Sequence, residues 1–145
     1  MFNPEAFANS VVEGAMSTRL TPIPAGEYTA MIEKVTARPT NEKGSTPCDI
    51  IYDIQDDTLK TQLALPKITC RGNVWLDITS SGGLDNSEGK NTGLGKLREA
   101  VGQNDPAKAW SPSMLIGQIV RVKVTQSINA KDGETYANVT GVTKA

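Results

Sequence analysis

The chain has 145 residues, 38% hydrophobic and 5% aromatic, with a formal net charge of −1 and no histidine. That length fits one domain whose core needs no disulfide or metal, and no apolar run approaches the roughly 18 residues of a membrane span, so a soluble protein is expected. The missing histidine removes the commonest general base and metal ligand, which excludes most nucleophilic triads and zinc-hydrolase arrangements.

Met1-Phe2-Asn3-Pro4-Glu5 is not a basic region leading into an apolar stretch, so no secretory signal is expected and a cytoplasmic setting is the default. Charge is unevenly spread. Residues 26–57 carry 7 acids against 3 bases, whereas residues 58–145 carry 11 bases against 7 acids. Segregation of this kind can form a basic groove on a nearly neutral molecule, or it is ordinary surface mixing.

Residues 1–25 are small and polar, with Pro4 to Val12 suited to one short helix, and read as an N-terminal arm ahead of a domain over residues 26–145. A first strand follows over Gly26 to Ala37. In it Tyr28, Ala30 and Ile32 share a face, and a break in alternation near Lys34 and Val35 predicts a bulge. The second strand, Cys48 to Gln55, puts Ile50, Tyr52 and Ile54 opposite Asp49, Asp53 and Gln55. Residues 56–67 read as a connection in which Leu63 and Leu65 pack down.

The third strand, Ile68 to Thr79, sets Val74, Leu76 and Ile78 against Asn73, Trp75 and Asp77, with Arg71 on the side of Trp75. Residues 80–92 form a long polar loop expected to be disordered without a ligand. Leu94, Leu97 and Val101 then predict a short amphipathic helix over Gly93 to Gln103, N-capped by Thr92. Two strands complete the chain. Val120, Val122 and Val124 alternate with Arg121, Lys123 and Thr125 over Gln118 to Ser127, an Asp132-Gly133 turn follows, and Glu134 to Val142 returns.

The order β-β-β-α-β-β is that of the five-stranded OB barrel. A mainly β barrel with one short helix and an extended arm is therefore expected, and barrels of this kind bind oligonucleotides or oligosaccharides on an open face. Cys48 and Cys70, 22 residues apart without zinc or redox spacing, are expected as buried free thiols, with a disulfide as the alternative.

Trp75, Tyr136, Arg71, Arg121 and Lys123 fall on outward strand faces, and Arg38, Lys43 and Lys131 at loop tips. Aromatic planes for bases and a track of cations for phosphates are what single-strand binding requires. The competing reading makes Trp75 a core or core-edge residue and the cations solvated surface charges. Gly93-Leu94-Gly95 and Ser81-Gly82-Gly83 lack the Lys-Ser or Lys-Thr of a phosphate loop. Asp53, Asp56 and Asp57 could hold a divalent cation or be solvated turn carboxylates. No metal, cofactor or catalytic set is expected, and the chain reads as a non-enzyme.

Three segments carry a resemblance. These are Pro22-x-Pro24-x-Gly26-x-Tyr28-x-Ala30, Gly93-Leu94-Gly95-x-Leu97, and Leu115-x-Gly117-x-x-Val120-x-Val122-x-Val124 with its lysine-containing hairpin. Over about residues 20–143 the chain resembles a family of bacteriophage-encoded single-stranded DNA-binding proteins. The resemblance implies an OB barrel coating single-stranded DNA in phage replication or recombination, in the cytoplasm of the infected host, alongside phage replication or recombination proteins. The small residues of the arm also suit contact with a neighbouring subunit. The alternative is a phage structural protein, such as a capsid decoration or cement subunit, bridging neighbours through the arm and the 80–92 loop.

Overall fold

Val120, Val122 and Val124 are buried while the intervening Arg121 and Lys123 are exposed, so alternation in sequence becomes an apolar inner and a charged outer face. In the computed structural model, which describes residues 1–145, this strand is β4 (Ile119–Ile128). Before it come β1 (Gly26–Ala37), β2 (Thr46–Ile54), a helix α1 (Asp57–Leu63), β3 (Thr69–Leu76) and a helix α2 (Thr92–Ala100); β5 (Thr135–Lys144) follows.

The five strands close a barrel in the order β1-β2-β3-β5-β4. Neighbours are antiparallel except β3 and β5, which run parallel and meet at Arg71 and Asn138. The protein is thus mainly β, with the expected OB-like closed barrel. Register slips between Ile32 and Lys34, placing the expected bulge at Glu33 and letting β1 bend between β4 and β2. A second slip leaves Thr140 unpaired in β5.

Inside the barrel lie Ala30, Ile32, Ile50, Tyr52, Ile54 and the three valines of β4, and no charged side chain is buried with them. Each fully buried aliphatic side chain contributes about 1.5–3 kcal/mol. Gly72 interrupts β3 for a steric reason. A Cβ there would lie 3.0 Å from the Tyr52 ring and 3.2 Å from Val139 Cβ, so only glycine lets β3 and β5 close over the core. Cys48 and Cys70 are buried and free.

α2 seals the barrel with Leu94, Leu97 and Ala100, and it ends where Gly102 takes a φ of 71°. Its start differs from expectation. The helix begins at Thr92 itself and the cap position is Asn91, which makes no side-chain capping bond. Its amide is engaged elsewhere: Oδ1 accepts from the Asp77 backbone N–H at 2.8 Å, and Nδ2 donates to the Asp77 and Asp85 carbonyls. Asp77 Oδ2 in turn accepts from the Asn91 backbone N–H at 2.8 Å. These bonds, with an Ile78–Leu84 bridge, tie down the 80–92 loop, for which composition alone predicts disorder.

α1 replaces the expected irregular connection. Asp56 caps it by accepting from the Leu59 N–H at 2.9 Å, and Leu59 buries inward with Leu63 half-buried, while Leu65 is exposed. In the arm only a 3-10 turn forms, over Pro4–Asn9, shorter than the helix predicted from Pro4 to Val12. Every residue from Met1 to Thr21 is exposed, and Ile23 is the first to bury.

Candidate functional site

Register decides which outward side chains meet. On β3 the outward residues are Arg71, Asn73 and Trp75; Arg71 faces Ile51 of β2 and Asn138 of β5, and Trp75 faces Pro47. Trp75 is 57% exposed, which rules out the core or core-edge reading of this residue. Tyr136 stands outward on β5, and because β5 runs parallel to β3 it is level with Thr69. Trp75 and Tyr136 therefore mark the two ends of one face, six residue steps or about 20 Å apart along the strands, with Arg71 between them.

The β1–β2 loop lies at the Trp75 end and the β4–β5 loop at the Tyr136 end. In the first, Asn41 Oδ1 accepts from the N–H of Lys43 at 3.0 Å and of Ser45 at 2.9 Å. In the second, Asn129 Oδ1 accepts from the Lys131 N–H at 2.8 Å. Each side-chain turn holds its lysine, exposed and without an ion-pair partner, at the tip.

Asp49 is the residue that sequence reading missed. Its two oxygens take Arg38 Nε at 3.0 Å and Arg71 Nη2 at 2.9 Å, joining a loop cation to a strand cation. Both arginines are about half exposed, so the pairs add little stability. Their effect is to fix two guanidinium groups beside one another with a single compensating charge.

Tyr136 is held from the other side. Its hydroxyl donates to Asp132 at 2.6 Å and lies 3.2 Å from Glu134, which pushes its ionisation up to about 12 and holds the Asp132 carboxyl below its usual range. The phenol stays neutral and its ring is oriented.

Arg121 and Lys123 do not join this face. They are outward and free of ion pairs, but β4 is two strands from β3 around the barrel. In a five-strand closure the two outer faces point roughly 140° apart. Lys96 of α2 comes closer: with Asn73 and Thr140 it lines a groove of about 370 Å³ where β3 and β5 diverge.

A second cleft, of about 440 Å³, lies beside α2 and includes Lys90, Arg98 and Trp110. Trp110 is committed to structure there, donating to Gln103 at 2.8 Å with the Arg98 guanidinium 4.5 Å over its ring. The open β3 face, with its uncovered aromatic, is the better candidate for an extended ligand. Of the acidic trio, Asp56 is spent on capping α1. No protein-family model and no curated protein matches the chain.

Proposed function

We propose that the chain is a non-enzymatic single-stranded DNA-binding protein that coats its ligand without regard to sequence. The observation that carries this reading is Trp75, an exposed tryptophan near the end of β3 on the same outward row as Arg71 and Asn73. Bases stack on Trp75 and on the fixed ring of Tyr136, while Arg38, Arg71, Lys43 and Lys131 take phosphates. Arg121 and Lys123, two strands away around the barrel, contribute only longer-range attraction. The setting, phage replication or recombination, is inferred from the motif resemblance alone.

The direct test is fluorescence anisotropy of a labelled oligo-dT titrated with protein across a salt series. Binding that weakens steeply with salt supports the reading; no binding at low salt overturns it. A phage structural subunit is the second reading, favoured by the exposed arm. It predicts no oligo-dT binding and co-purification with capsids.

A further inference from the structure

The arm presents an unusual surface. Phe2, Phe7, Val11, Val12, Met16 and Leu20 are 57–92% exposed, with no part of their own barrel covering them. Scattered single exposed apolar residues are ordinary, but six within twenty residues leave an apolar segment unpartnered. The barrel carries an unpartnered surface too. Ile119 faces Met31 directly across β4 and β1, and hydrogen bonds from Gly117 N to Ile32 O and from Ile32 N to Gln118 O bring Met114 and Ile116 to the same corner. Met114, Ile116 and Ile119 are 44–49% exposed.

We propose that the arm of one molecule docks on the Met31–Met114–Ile116–Ile119 corner of a second copy. Geometry favours another copy over the arm's own barrel. The arm is anchored at the far end of β4, where Gln126 Nε2 donates to the Ile23 carbonyl at 2.8 Å and Arg19 lies 3.6 Å from Glu134. Ile119 is seven residues back along the same strand, about 24 Å away, and the arm leaves in the other direction. Extended, residues 1–22 span up to about 75 Å, so reach does not decide the occupant. Direction does, because docking on its own corner would require the arm to reverse and run back along β4, whereas a neighbour is met without that reversal. Charge disfavours an anionic membrane as occupant, because the arm carries Glu5 and Glu13 against Arg19 alone. A donor segment and an acceptor corner on every chain make a self-complementary pair that needs no third component.

This inference does not rest on DNA binding. Sedimentation velocity on the full chain without nucleic acid is expected to give masses above the 15.5 kDa monomer at high protein concentration. An arm variant, Phe7→Ser/Val11→Ser/Val12→Ser, and a corner variant, Ile116→Ser/Ile119→Thr, should each weaken association about tenfold or more. All five positions are exposed, so both variants keep the fold, as circular dichroism can verify. Mixing the two variants should restore association in part, to the level of one contact per pair, because the intact arm of one meets the intact corner of the other. A monomeric wild type, or association that neither variant weakens or that mixing fails to restore even in part, overturns the proposal.

Discussion

Arg38 and Arg71 share one carboxylate: Arg38 Nε lies 3.0 Å from one oxygen of Asp49 and Arg71 Nη2 lies 2.9 Å from the other. A loop and a strand thereby present two cations whose charge is half cancelled in the free protein. A phosphate arriving at this point competes with Asp49 for both.

Asp49→Asn removes that competitor while keeping a hydrogen-bonding side chain in place. Oligo-dT affinity at low salt is expected to rise several-fold, and the gain should vanish at high salt. A loss of affinity would instead make Asp49 a positioning residue for the two guanidinium groups.

Trp75→Ala and Tyr136→Ala should each weaken binding about fivefold to a hundredfold through lost stacking. Tyr136→Phe keeps the ring and should stay near wild type. Arg121→Ala and Lys123→Ala should each cost less than Arg71→Ala, because β4 faces away from β3. Equal losses at all three positions, measured by anisotropy, would show that the strand wraps the barrel.

Two glycines give opposite stability effects. Gly72→Ala forces a methyl group against Tyr52 and Val139 and should destabilise by about 1–3 kcal/mol in urea unfolding. Gly95, inside α2, has open space where a methyl group would sit, with no neighbouring atom within 4 Å. Gly95→Ala should therefore stabilise by about 0.5–1 kcal/mol.

Burial pushes the Cys70 thiol from 9.0 up to about 11 and raises Cys48 and Tyr52 as well. A folded value above the unfolded one means that the associated stability is complete below about pH 9 and is lost as pH rises toward 11. Denaturation midpoints should therefore hold level near neutrality and fall above about pH 9. Neither thiol should react with a disulfide reagent at about pH 8 until denaturant is added.

The barrel was legible where alternation was strict, as in Val120 to Thr125, because each buried valine is flanked by a residue that only solvent accepts. α1 was obscured because Ala64, not glycine, takes the left-handed cap position at a φ of 54°. The ordering of the 80–92 loop depends on bonds between Asp77 and Asn91, which leave no periodic trace in the chain. Outward placement of Trp75 and Arg71 followed from period two. That Asp49 joins Arg38 to Arg71, and that Arg121 and Lys123 face elsewhere, depends on cross-strand register and on closure, neither of which a single strand's pattern encodes.

The most direct measurement is oligo-dT affinity against salt for the wild type and Arg71→Ala, followed by anisotropy. The expected result is a linear fall of log affinity with log salt, and a slope about 0.7 shallower in the variant, the share of one phosphate contact on a single strand. No binding at low salt, or binding indifferent to both salt and Arg71, would contradict the assignment of this face.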